Sequence, residues 1–147
     1  MPETARNEGM FGKYQHSMDG KGRLFVPSKL RDSLGGTFYV MIGLGKYLTA
    51  YPEEKWFAFM EQCSKLPPSK APSVRILLAN AAKCEPDKQG RFLLPQILRE
   101  YANLESEVTF LGQGDHAEIW NSADYDAKER EFLASGNLAE ILEALGL

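Results

Sequence analysis

Two arginines carry the chemistry that this sequence offers. Arg23 closes Asp19-Gly20-Lys21-Gly22-Arg23, and Arg91 closes Asp87-Lys88-Gln89-Gly90-Arg91. Each follows a glycine directly and stands four residues behind an aspartate. An aspartate side chain can bond to backbone two residues on, and glycine accepts the positive φ of a tight turn. The arginine is thereby held at a stiff, exposed tip. A guanidinium so placed can meet O6 and N7 of guanine with two hydrogen bonds. Lys21 and Lys88 are compact charges better suited to phosphate, which positions a protein without specifying sequence. Bond-making chemistry has no comparable signature: no nucleophile–base pairing or metal-ligand spacing is visible. Asp19 and Asp87 read as turn caps rather than as paired acids. No enzymatic activity, catalytic residue, metal or cofactor is expected.

The tips belong to a repeat, which has to be read before anything else. Residues 19–31 and 87–99 align at an offset of 68 without a gap, and six of the 13 positions are identical. These are Asp19/Asp87, Gly22/Gly90, Arg23/Arg91, Pro27/Pro95, Leu30/Leu98 and Arg31/Arg99. The three residues behind each arginine stay apolar (Leu24-Phe25-Val26 and Phe92-Leu93-Leu94) and read as buried strands. Pro27 and Pro95 end those strands and suit the first turn of a helix. Leu30 and Leu34 then share one helical face, as do Leu98 and Ala102, and Gly35-Gly36 stops the first helix. One copy alone could be a plain hairpin whose arginine pairs with its own aspartate. Two copies weigh against that, because a bland turn has many sequence solutions.

The similarity runs on. Gly43-Leu44-Gly45 and Tyr51-Pro52 align with Gly112-Gln113-Gly114 and Trp120-Asn121 at an offset of 69, and Trp56 falls opposite Tyr125. Each half therefore reads as strand, basic turn, strand, short helix, strand, glycine-containing loop, strand, helix. Residues 11–18 form the first strand, residues 37–42 and 47–51 the next pair, and residues 107–111 and 117–120 their counterparts. Pro52 opens a helix with Glu53 and Glu54 in its first turn, where carboxylates complement the dipole. Trp56, Met60 and Cys63, with Phe59 beside them, make one amphipathic face, and Val74, Leu77, Leu78 and Ala81 another. Both read as core or helix-packing stripes. Asn121 or Ser122 can cap a helix running to about Leu133, and Ser135-Gly136-Asn137 breaks it. The domain reading is a disordered extension (1–9), a first repeat (10–66), a Pro/Ser/Lys linker (67–72), a second repeat (73–134) and a terminal apolar helix (135–147).

A chain of 147 residues with 44% hydrophobic and 25% charged residues is ordinary for a globular protein of one domain or two intimate half-domains. Its net charge of −3 argues against a uniformly basic nucleic-acid coat. A local basic patch stays open, since field depends on where charges sit. Cys63 and Cys84 are too few for a disulfide framework or a four-thiolate metal site and read as buried thiols. His16 and His116 lack a ligand pattern. No apolar run approaches the ~18 residues of a membrane helix, and residues 1–9 lack the apolar core of a secretory signal. The simplest expectation is a cytoplasmic chain.

In this frame the sequence resembles the MraZ family of bacterial transcriptional regulators. The resemblance rests on the paired segments 19–27 and 87–95 and on their surroundings. Tyr14 lies ahead of the first turn, followed by Tyr51-Pro52-Glu53-Glu54-Lys55-Trp56. Ala81-Ala82-Lys83-Cys84-Glu85 precedes the second turn, and Glu118-Ile119-Trp120 comes near the end. It covers the chain from Met10 to about Arg130 and leaves residues 1–9 outside the family pattern. It implies a mainly β, α+β chain in which two tandem AbrB-like swapped-hairpin repeats form a β-barrel-like core with flanking helices. It implies a ring-shaped homo-oligomer that binds double-stranded DNA at short direct repeats in its own upstream region. The regulated genes would be the division and cell-wall cluster, usually repressed, which sets the protein in the cytoplasm and nucleoid without membrane or small-molecule substrate. By carry-over the DNA-contacting loops are residues 19–23 and 87–91. Lys21, Arg23 and Arg91 lead, Lys88 stands beside them, and Asp19, Gly22, Asp87 and Gly90 shape the turns. Arg31 and Arg99, on the short helices, could touch backbone phosphate, or could serve a fold-internal salt bridge or a solvated face. The second loop carries its lysine one residue earlier than the first, so the two need not contact DNA equivalently. The alternative function is an antitoxin-like or scaffold module on the same fold, serving protein partners.

Overall fold

Runs rich in β-branched and aromatic residues, such as Phe38–Ile42 and Glu107–Gly112, set the longer strands. The structure, a computed structural model, describes residues 9–147. The expected disorder of residues 1–9 therefore lies, but for Gly9, outside the described residues. The first half holds β1 (Lys13–Ser17), β2 (Arg23–Phe25), a 3-10 turn (Ser28–Leu30) running into α1 (Arg31–Leu34), β3 (Phe38–Ile42), β4 (Leu48–Pro52) and α2 (Glu53–Ser64). A second 3-10 turn (Pro68–Lys70) leads into α3 (Ala71–Ala79). The second half holds β5 (Ala82–Cys84), β6 (Arg91–Leu93), α4 (Gln96–Tyr101), β7 (Glu107–Gly112), β8 (Ala117–Asn121), α5 (Ser122–Ser135) and α6 (Leu138–Ala144).

The strands form a six-stranded antiparallel sheet in the order β1-β7-β8-β4-β3-β5 and a two-stranded ribbon, β2-β6. The chain is α+β, as expected. The sheet itself is not closed: β1 and β5 are its edges. Each edge strand runs on through its basic turn into one strand of the ribbon, and there β2 and β6 pair with each other rather than extending the sheet. The two repeats are thereby interleaved. β1 pairs with β7 and β5 with β3, so each repeat supplies an edge strand to the other. The ribbon register is Arg23↔Leu93, Leu24↔Phe92 and Phe25↔Arg91. Two further bonds extend it symmetrically: Val26 N–H donates to the Gly90 carbonyl, and Leu94 N–H to the Gly22 carbonyl, each at 2.9 Å.

The core lies where ribbon and short helices meet the sheet. Leu24, Val26, Leu30 and Leu34 from the first copy, and Phe92, Leu94, Leu98 and Ala102 from the second, are all buried in one cluster. Phe92 meets Phe38 of β3 edge to face at 5.1 Å and Phe110 of β7 at 6.4 Å. The shared faces expected for Leu30/Leu34 and Leu98/Ala102 are therefore core faces. The apolar runs are not buried throughout, however: Phe25 is 42% and Leu93 57% exposed. A ribbon with one face on the core sends alternate side chains outward.

The remaining helices dock lightly. Trp56 is the buried residue of α2 and stacks on Tyr39 at 4.9 Å. Phe59 and Cys63 are half-buried, and Phe59 stacks on Tyr51 at 6.3 Å, so the expected face docks along Trp56, Phe59 and Cys63 while Met60 remains 40% exposed. In α3, Val74, Leu77 and Leu78 are half-buried, as the stripe predicts. Asn121 caps α5 by accepting the Asp124 N–H at 2.9 Å, and Gly136, at φ 77°, ends it. Cys84 is buried and its thiol is pushed up to about 12 by burial; Cys63, against expectation, is only partly buried. Among the described residues no helix is long and apolar enough to cross a membrane.

Candidate nucleic-acid interface

The two basic turns are built alike, bond for bond. Asp19 Oδ1 accepts from the backbone N–H groups of Lys21 and Arg23, both at 2.9 Å, and the Asp19 carbonyl accepts from Gly22 N–H at 3.0 Å. Asp87 Oδ1 accepts from Gln89 and Arg91 N–H, both at 2.9 Å, and its carbonyl from Gly90 N–H at 2.9 Å. Gly22 and Gly90 have φ of 88° and 87°, a conformation that side chains other than glycine's rarely adopt. The same arrangement explains the acidity of the aspartates. The Arg23 backbone N–H, and then its side chain, hold the Asp19 carboxyl down to about 2; Asp87 is lowered likewise, first by the Arg91 backbone N–H.

The second oxygen of each carboxylate steers its arginine. Arg23 Nε donates to Asp19 Oδ2 at 2.7 Å, and Arg91 Nε to Asp87 Oδ2 at 3.1 Å. The pairing that a plain hairpin would give is thus present. It engages one edge of each guanidinium and leaves both side chains substantially exposed, at 45% and 40%. Among the described residues, neither arginine spends an Nη group on a hydrogen bond within the chain. An anchored Nε with uncommitted Nη donors is a pre-oriented fork, and preorganisation lowers the ordering cost of binding.

The ribbon places these forks relative to each other. Arg23 faces Leu93 across it and Phe25 faces Arg91. On the outer face the arginines occupy one diagonal of a four-residue square, and Phe25 and Leu93 the other. Leu24 and Phe92 lie beneath, on the core side. Lys21 and Lys88 are exposed on the turns at either end.

Arg31 and Arg99 reach across the pseudo-twofold. Arg99 Nε donates to the Leu94 carbonyl at 2.9 Å, and a Cβ built on Gly22 would fall 2.5 Å from that Nε. Arg31 Nε donates to the Val26 carbonyl at 3.2 Å and its Nη2 to the Gln89 carbonyl at 3.4 Å; a Cβ on Gly90 would fall 2.5 Å from Nη2. Each guanidinium therefore lies against the turn of the other repeat, with carbonyls rather than carboxylates for partners. Arg31 and Lys88 also line one cavity of about 260 Å³ beside the second turn. Between them, segments 19–31 and 87–99 carry seven Lys or Arg residues and two Asp in a chain of net charge −3. These two segments are net positive within a chain of negative net charge.

Two residues of this surface escaped sequence reasoning, Phe25 and Leu93. Their signal is period-two alternation, which a strand of three residues is too short to display.

Comparison with known proteins gives this arrangement its kin. The family model described as "MraZ protein, putative antitoxin-like" matches twice, over residues 10–78 and 77–145. A protein of Lachnoclostridium phytofermentans named transcriptional regulator MraZ is 41% identical over 138 residues, covering 92% of this chain and 96% of its own. One of Lactiplantibacillus plantarum with the same name is 39% identical over 136 residues, covering 90% and 96%. Another, of Carboxydothermus hydrogenoformans, is 45% identical over 113 residues, covering 75% and 79%. The chain belongs to the MraZ family.

Proposed function

We propose that this chain is a transcriptional regulator that binds double-stranded DNA sequence-specifically through its two aspartate-buttressed turns. The observation that carries the reading is the pair of pre-oriented forks, Arg23 and Arg91, on one outward ribbon face. A two-stranded β-ribbon fits the major groove, about 12 Å wide, where an arginine can bond guanine O6 and N7 together. Lys21 and Lys88 meet phosphate on either side, and Arg31 and Arg99 reach phosphate with the donors that their carbonyl partners leave over. The family resemblance supports the finer points. These are a ring of identical chains, short direct repeats upstream of the protein's own gene as the site, and repression of the division and cell-wall cluster. A ring repeats the forks, and linked sites raise avidity by ~10²–10⁴ without new contacts.

A footprint of the purified full chain on DNA upstream of its own gene, with a mass measurement in solution, tests this. Protection of regularly spaced short elements by a multimer is expected. Uniform coverage at non-specific affinity overturns it.

A second reading has its own observations. The family description includes the words antitoxin-like, and Phe132, Leu133, Leu138, Ile141 and Leu142 on α5 and α6 are exposed. A protein-interaction module would retain partners in a pull-down after nuclease treatment and show only non-specific DNA affinity.

A further inference from the structure

We propose that Phe25 and Leu93 are specificity-determining residues that read thymine 5-methyl groups in the major groove. The proposal rests on the DNA-binding reading and goes beyond it by assigning half of the ribbon face to apolar readout. Both residues are large and apolar, and both are exposed on the face from which Arg23 and Arg91 project.

The geometry suits the duplex. Along a strand, side chains on one face recur every ~7 Å, and stacked base pairs lie ~3.4 Å apart along each strand. Arg23 and Phe25 thus address base pairs about two steps apart, as do Arg91 and Leu93. Across the ribbon each arginine sits opposite an apolar partner, within the ~5 Å of directly facing residues. An arginine meeting guanine therefore carries an apolar side chain to neighbouring pairs. The major-groove edge of thymine bears a methyl group that apolar side chains can contact.

Charge selects this occupant over a second copy of the chain. A like ribbon packed on this face would bring a second Arg23 and Arg91 toward the first pair. The ribbon's own carboxylates, Asp19 and Asp87, are already bonded to their own turns. A polyanion with methyl groups in its groove meets all four residues; a second ribbon meets two of them with repulsion.

The test uses the full chain and an operator duplex selected with it from a random-sequence pool. Each thymine is replaced in turn by deoxyuridine, which removes only the methyl group. Wild-type protein is expected to lose about fourfold in affinity at one or a few positions, the worth of one buried methyl. Phe25→Ala or Leu93→Ala should weaken binding to the thymine duplex by a similar factor and abolish the loss at its own position. Arg23→Ala should weaken both duplexes equally and keep the uracil sensitivity. Insensitivity of wild-type protein to uracil at every position overturns the assignment while leaving DNA binding intact, and it needs no variant to fold. A change in solution mass of Phe25→Ala with unchanged DNA affinity would instead make the patch an interface between copies. Failure to select any sequence overturns the DNA-binding reading and this inference with it.

Discussion

A Cβ atom on Gly22 would fall 2.5 Å from Nε of Arg99, so a helix residue of the second repeat closes over the turn of the first. Arg31 does the same to Gly90. The forks at Arg23 and Arg91 are stiff because each turn is held from within by its aspartate and from outside by the other repeat.

Gly22→Ala and Gly90→Ala should each destabilise the fold by ~1–3 kcal/mol, because an L side chain is strained at these φ values. The added methyl would also push Arg99 or Arg31 off its carbonyl partner. Thermal melts read the loss. DNA affinity should fall as well, since the fork loses its fixed aim.

Removing a fork should leave the fold in place. Arg23→Ala and Arg91→Ala are each expected to lower affinity for a selected operator by ~1–3 kcal/mol, the worth of one bidentate contact. The melting temperature should stay near the parent's, because exposed ion pairs are screened by solvent. Gel shifts and circular dichroism on both variants check the pair of outcomes. Arg23→Lys should restore charge without restoring specificity, as an ammonium lacks the planar fork.

Arg31 and Arg99 should behave differently from the forks. Alanine at either leaves the carbonyl of a buried residue, Val26 or Leu94, without its side-chain partner, so the melting temperature should drop. If the same residues also meet phosphate, the slope of log affinity against log salt shrinks by about one for each. A lower melting temperature with an unchanged slope makes them purely internal.

Acid should loosen the turns. The Asp19 carboxyl is held at about 2 against an ordinary 3.8, first by the Arg23 backbone N–H and then by its side chain. A carboxylate depressed by folding contributes stability above its unfolded value and loses it as pH falls through the folded one. Stability should therefore decline from about pH 4 toward pH 2, and Asp115, held at about 2 first by His116 and then by Lys55, adds to the same slope. Asp19→Asn should flatten part of that decline. NMR titration of the Asp19 carboxyl should give a midpoint well below the ordinary value.

Local chemistry made much of this legible from sequence. Asp-x-x-Gly-Arg specifies its own turn, so the aspartate caps and positive-φ glycines could be read directly. The spacing of Leu30 and Leu34 marked a buried face for the same reason. Partnership between distant segments was not legible. Nothing near Leu24 says that β2 pairs with β6 rather than with β1, and nothing near Arg99 says that it lies against Gly22. The outward turn of Phe25 followed from that pairing. The proline-rich segment 67–72 runs through a 3-10 turn (Pro68–Lys70) into the first two residues of α3, because proline fixes φ near helical values and is tolerated where no N–H is needed.

The central claim is that Arg23 and Arg91 read base edges jointly from one rigid ribbon. Its most direct test is fluorescence anisotropy of the Arg23→Ala/Arg91→Ala double variant, folded by circular dichroism, on a selected operator and on a scrambled duplex of equal length. The account predicts that the affinity difference between the two duplexes collapses to near unity. A double variant that still prefers the operator as strongly as the parent would contradict it.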